Sequence, residues 1–306
     1  MKDSFLQRWA ALLGPVTPEQ RGRAFTPSRV EESSSSITTL AGNSATEIEL
    51  VVGSEDTVSG YLIAGVDQPR GVAIALHQTT NPPFIGCREP FGITGDRELS
   101  YGDELAARGF VVIGIDYPHF GTYQADPYSM GYESMTAKAL WNNLCLVDHA
   151  KHRWPGLSIS AIGHSLGGTN AMFLAACSTH PIHTVCSAAI TTFRDFSIVH
   201  RDLSRWARRD KYMPNIESSY RNDPNLVPVD YGDLPELIAP SPLFLNCPRK
   251  DDIFPVSGSR NAVRKARKYY ASSGCFEAAF PDCGHEFPRN VREQSYDFLD
   301  KWSGKS

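Results

Sequence analysis

Five short, almost wholly apolar runs constrain this chain most: GVAIALH at 71–77, FVVIGIDYP at 110–118, LSISAIG at 157–163, HTVCSAAI at 183–190 and PLFLNC at 242–247. Each is short for a buried helix and too continuously apolar for a strand with one wet face. Helical patterns lie between and after them: LSYGDELAARG (99–109), stopped by Gly109, then MTAKALWNNLCLVDHAKH (135–152), LGGTNAMFLAACS (166–178) and a stretch at about 256–272. CFEAAFPD (275–282) adds a strand and 289–302 a last helix. Strands buried on both faces and alternating with helices belong in a parallel sheet covered on both sides. The expected fold class is α/β, with a doubly wound, mostly parallel sheet.

Ahead of these runs, TEIELVV and TVSGYLIAG alternate apolar and polar residues around GSED. That pattern predicts an antiparallel N-terminal hairpin at the sheet edge. Residues 1–45 read as a separate helical and extended segment: a helix at about 4–13, then Pro15, Pro18 and Pro27, then EESSSSITT, a linker-like composition. The main domain is expected over 46–306. Within it, residues 192–240 show no strand pattern and are too long for an ordinary loop. They are expected to form a helical cap over the strand ends, and with 117–136 to shape the pocket.

The net charge is −4 over 306 residues, with no long block of one sign, which argues against a nucleic-acid partner. No apolar run reaches the length of a membrane span. Near the N-terminus the apolar stretch Trp9–Leu13 is short, abuts Arg8 and precedes no small-residue cleavage pattern. It reads as an amphipathic helix and not as a signal peptide, so a cytoplasmic location is expected. Seven cysteines, an odd number without a C-x-x-C pair, point to a reducing compartment. Cys145, Cys177, Cys186 and Cys247 lie in apolar surroundings and read as small buried hydrophobes. A homo-oligomer is compatible with this composition.

AIGHSLGG (161–168) places Ser165 between Gly163 and Gly167, after a strand and before a helix. A nucleophilic serine needs such a turn: it lifts the hydroxyl above the sheet and aims the first helix amides at the reacting carbonyl. The plain reading is a tight turn, and its partners decide between the two. A serine nucleophile needs a histidine base and an orienting carboxylate, in the chain order Ser, acid, His for this kind of sheet. After Ser165, His180 and His183 precede a strand, at the wrong end of the sheet, and His200 falls in the expected cap. His285, in PDCGHEFP, follows the last strand, where a ligand-facing group belongs. The loop after PLFLNC supplies two candidate acids, Asp251 and Asp252, and spacing does not choose between them. The amide of Leu166, with that of Gln78 or Thr79 from HQTTNPP, would form an oxyanion hole. His77 is expected to shape that loop, and Asp116 in DYPHFG to fix its own by hydrogen bonds. His149 and His152 (i, i+3) lack further ligands for a metal and read as a solvated helix end. Arg201, Arg205, Arg208 and Arg209 read as a solvated cap surface, with an anionic substrate as the alternative.

These residues resemble the α/β-hydrolase superfamily and, within it, the dienelactone-hydrolase and acetyl-xylan-esterase-like branch. The marks are ALHQTT, ARGFVVIGIDYPHFG, IGHSLGG, IAPSPLFLNCPRKDDIFP and GHEFP, from about residue 46 to the end. The resemblance implies a Ser-His-Asp triad, and it selects Asp251. The branch sets its acid three residues before an aromatic or aliphatic position and four before a proline, offsets that Phe254 and Pro255 meet. Two departures stand out: Gln78 follows His77 where many relatives have glycine, and Ser241 stands where relatives often have arginine. The expected function is hydrolysis of a small or medium-sized carboxylic ester through an acyl-enzyme, with no metal or organic cofactor. Thioesterase, amidase or acyltransferase chemistry with the same triad is the alternative. A peptidase is expected less, for want of room for an extra domain, as is a non-catalytic binding protein on the same scaffold.

Overall fold

Backbone pairing joins the apolar runs into one sheet. The computed structural model describes residues 2–22, 29–53, 56–65, 67–207, 212–271 and 274–303. Among these, nine strands are β1 (Arg29–Thr38), β2 (Ser44–Gly53), β3 (Asp56–Ile63), β4 (Val72–Leu76), β5 (Val111–Ile115), β6 (Ile159–His164), β7 (Ile182–Ser187), β8 (Leu243–Asn246) and β9 (Phe276–Ala279). Their order is β1-β2-β3-β5-β4-β6-β7-β8-β9. The first three strands run antiparallel and join β5 antiparallel, for instance at Leu62↔Ile113. From β5 to β9 all pairings are parallel. The expected doubly wound sheet and its N-terminal hairpin are both present.

Strands β4 to β8 are buried along their whole length because helices cover both faces. The two-residue period of a strand divides each apolar run between two cores. Val72, Ile74 and Leu76 face a core shared with helices Met135–Arg153 and Leu166–Cys177. Ala73 and Ala75 face the other, with helices Tyr101–Ala107 and Arg289–Trp302. Gly109 ends its helix at φ +92°, a left-handed conformation that favours glycine.

One reading of the N-terminal segment changes. The serine run is edge strand β1, paired with β2 across a register shift between Glu32 and Ser36, and not a linker. Its side chains are mostly exposed, so no apolar alternation marks it; the backbone alone makes the pairing. The helix Lys2–Leu13 is also bound into the molecule. Trp9, Leu12 and Leu13 are buried, and the Trp9 ring meets Phe173 at 5.0 Å and Tyr231 at 6.0 Å.

Residues 192–240 hold helices Phe193–His200, Ser204–Ala207, Asn215–Ser218 and Leu234–Ile238 and no strand among those described. Arg208 and Arg209 lie outside the described residues. No described helix is long and apolar enough to cross a membrane. Cys177 is only half-buried, whereas Cys87 and Cys275 are buried as fully as Cys145, Cys186 and Cys247.

Candidate active site

At the end of β6 the chain reverses sharply. Ser165 sits at φ +53°, ψ −120°, a conformation that costs a non-glycine residue on the order of 1–3 kcal/mol. Its N–H donates to Ser187 O at 2.8 Å, and the N–H of Thr169 closes the first helical turn onto Ser165 O at 3.0 Å. The glycines on either side are sterically required. A Cβ on Gly163 would stand 2.2 Å from Gly167 C, and one on Gly167 would stand 1.9 Å from Leu76 O. The turn presents the amide of Leu166, at the helix start, where backbone N–H groups have no intrahelical acceptor.

The loop after β8 and the loop after β9 meet beside this turn. His285 Nδ1 donates to Asp251 Oδ2 at 2.9 Å, and the Asp251 side chain is wholly buried. The other oxygen, Oδ1, accepts from Ile253 N and Phe254 N, both at 2.8 Å. Asp252, one residue on, is exposed to solvent. The Phe254 ring lies almost parallel to His285 at 5.7 Å and limits its rotation.

Gln78, Thr79, Ser165, Leu166 and His285 line one cavity of about 520 Å³. Its far wall comes from the 192–240 insertion, through Phe196, Ser204, Arg205, Trp206 and Tyr212, and Thr169, Ile253 and Phe254 complete it. The Tyr212 hydroxyl reaches across to Thr79 Oγ1 at 2.6 Å, tying cap to loop. The expected contribution of 117–136 is absent from this wall. Tyr117, Pro118, Phe120, Met135 and Thr136 line a small adjoining crevice instead, which Leu166 and Tyr212 share.

His77 holds the Gln78–Thr79 loop from behind. Its Nδ1 donates to Gln78 O at 2.7 Å, its Nε2 accepts from Tyr117 N at 3.2 Å, and its ring stacks on Tyr117 at 3.9 Å. Burial pulls its pKa down to about 4, so it stays neutral, with one donor and one acceptor nitrogen. Asp116 acts as the expected acceptor, taking the N–H of Cys87 at 2.8 Å and of Thr122 at 3.2 Å. His149 meets Trp154 edge-on, and exposed His152 bonds the carbonyl of Asp148. Among the described residues no group of three or more His, Cys, Asp or Glu could hold a metal ion.

No family model matches the chain. The curated protein "Putative hydrolase YtaP" of Bacillus subtilis (strain 168) is 24% identical over 220 residues, 66% of this chain and 68% of that protein. A glucuronoyl esterase from Solibacter usitatus superposes with a TM-score of 0.72 at 14% identity, covering 98% of this chain and 92% of its own. An acetyl xylan esterase from Paenibacillus sp. R4 gives 0.67 at 15% identity, covering 98% and 93%. This chain has the α/β-hydrolase fold. The resemblance to the acetyl-xylan-esterase-like branch agrees with these neighbours.

Sequence reasoning missed one part of this α/β-hydrolase sheet. His164, Ser187 and Asn246 end β6, β7 and β8 and lie side by side in register. Ser187 Oγ bonds His164 Nδ1 at 2.9 Å and accepts from Asn246 Nδ2 at 2.9 Å, and the same Asn246 nitrogen donates to Glu286 O at 2.9 Å. The row thus anchors the residue next to His285. His164 lies 4.8 Å from the His285 ring; burial and that neighbour hold its pKa well below the usual imidazole value. A signal was available: Ser187 and Asn246 interrupt two mainly apolar runs, and His164 directly follows a third.

Proposed function

We propose that the protein is a serine-dependent hydrolase of small or medium-sized carboxylic esters. Ser165 Oγ attacks the ester carbonyl carbon while His285 Nε2 accepts its proton. Asp251 holds the His285 proton on Nδ1 and offsets the imidazolium charge. The alkoxide leaves with the proton from Nε2; water, deprotonated by the same nitrogen, then releases the acid from the acyl-serine. The Leu166 amide supplies one oxyanion donor. For the second we favour Thr79 over Gln78. His77 binds the Gln78 carbonyl, and in a planar trans peptide the Thr79 N–H points the opposite way.

The observation that carries this reading is the buried Asp251–His285 hydrogen bond, with His285 and the strained Ser165 turn facing one cavity. Two of the structural neighbours are named as esterases and the curated relative as a hydrolase, which agrees with it. The test is turnover of 4-nitrophenyl esters, anilides and acyl thioesters by the protein and by Ser165→Ala. The expected result is ester turnover that falls about 10⁴-fold or more in the variant, together with loss of fluorophosphonate labelling. Full esterase activity in Ser165→Ala would refute the reading.

A further inference from the structure

We propose that Arg205 binds a carboxylate on the substrate, so that the ester cleaved at Ser165 belongs to a molecule that also carries a free acid. This rests on the esterase reading and names the substrate class for it. Among the described residues lining the cavity there is no Asp or Glu, and Arg205 is the one side chain with a permanent charge. It has no ion pair or hydrogen bond among the described residues. Other arginines do: Arg292 is held by Glu98 and Glu104, and Arg108 by Asp297 and Asp300. The nearest acid in sequence, Asp202, accepts through Oδ1 from the Ser204 N–H and hydroxyl at 2.9 and 2.7 Å and not from Arg205.

The surroundings strengthen the attraction. Arg205 is itself exposed to solvent, and beside it Phe196, Trp206, Phe254, Leu166 and Ile253 give the cavity largely apolar walls that keep water from one side of a bound carboxylate. A guanidinium offers two parallel N–H donors that match a carboxylate. The residue stands on the Ser204–Ala207 helix of the insertion and not on the loops that carry Ser165, Asp251 and His285, so it binds a part of the substrate other than the scissile bond.

Two ester pairs place the acid on either side of that bond. Mono-4-nitrophenyl adipate against its methyl ester tests the acyl side; 4-acetoxybenzoate against its methyl ester tests the alcohol side. In at least one pair the wild-type protein should favour the anion in kcat/KM by about 10- to 100-fold. That ratio should collapse toward one in Arg205→Ala, chiefly through KM, and recover in part in Arg205→Lys. Arg194→Ala removes the same charge from an equally exposed position of the preceding helix that does not line the cavity, and should keep the ratio. The inference is overturned if neither pair shows a preference, if the preference survives Arg205→Ala, or if Arg194→Ala abolishes it equally. Turnover of the neutral esters alone leaves the esterase reading standing; turnover of none of the four removes both.

Discussion

The two walls of the cavity are built differently. On the sheet side Ser165 follows buried β6 directly, Asp251 and His285 stand in the loops after buried β8 and half-buried β9, and the backbone helps set their places: a Cβ on Gly167 would collide with Leu76 O of β4, and the polar row of His164, Ser187 and Asn246 braces the strand ends. On the cap side Phe196, Arg205, Trp206 and Tyr212 ride on helices of eight and four residues and on loops. Those pieces are held by ring contacts, such as Trp206 with Tyr231 at 5.0 Å and with Phe254 at 5.6 Å, and by scattered hydrogen bonds such as Tyr212 with Thr79. Reacting groups need sub-ångström placement, which a sheet provides; a recognition wall needs only a surface of the right shape and charge. One fold can therefore keep its chemistry while the insertion changes its substrate.

The sharpest way to break this contrast is to test the two neighbouring acids on the sheet side. Asp251→Asn should lower kcat by about 10⁴-fold, because the amide favours the wrong imidazole tautomer. Asp252→Asn should stay within about threefold, as expected of an exposed surface group. Comparable losses in the two would mean that the Asp251–His285 contact does not orient the base.

A second test asks whether the cap stands alone. Trp9→Ala should destabilise the protein by about 3–5 kcal/mol, because it empties a buried site between Phe173 and Tyr231. With Tyr231 loosened, KM should rise more than kcat falls. An unchanged KM at reduced thermal stability would show that the cap holds its shape without the N-terminal helix.

A third test separates the walls by the sign of their response to acid. Burial pulls His77 and His183 down to about 4, while a histidine in the unfolded chain titrates near 6.5. Between those values the unfolded chain takes up protons that the native sheet refuses. Stability therefore falls as pH drops through that window, by roughly 1.4 kcal/mol per pH unit for each histidine. Asp230 of the cap goes the other way. Burial raises it to about 6, so the native state takes its proton first and gains stability as pH falls from about 6 toward the ordinary carboxylate value. Thermal unfolding between pH 7 and 4.5 should show a net acid decline that Asp230→Asn steepens. A shallower decline in that variant would contradict the assignment.

The same contrast explains how much was legible in the sequence. A strand buried on both faces leaves a continuous apolar run, so β4 to β8 could be read directly, and with them the place of Ser165, whereas His285 was placed by the shorter run of half-buried β9. Asp251 and Asp252 are equal in spacing and chemistry. The family pattern favoured Asp251, and the turn in which Asp251 Oδ1 accepts the Ile253 and Phe254 amides gives the physical reason. Strand β1 was hidden because neither of its faces is buried, and a four-residue helix such as Ser204–Ala207 has no period to detect. The cavity wall could not be assigned among 117–136 and 192–240 because it depends on contacts distant in sequence, Thr79 with Tyr212 among them.

Trp9 also bears on how the molecule is made. It is synthesised long before Phe173 and Tyr231, whose rings complete its packing. During synthesis the first helix must wait, its indole exposed, until the helix behind Ser165 and most of the cap have emerged. The hairpin of β2 and β3 can pair long before that, since its partners are adjacent in sequence. The cavity thus closes late in a vectorial folding process, and a nascent chain held short of Tyr231 carries the serine turn without its finished wall.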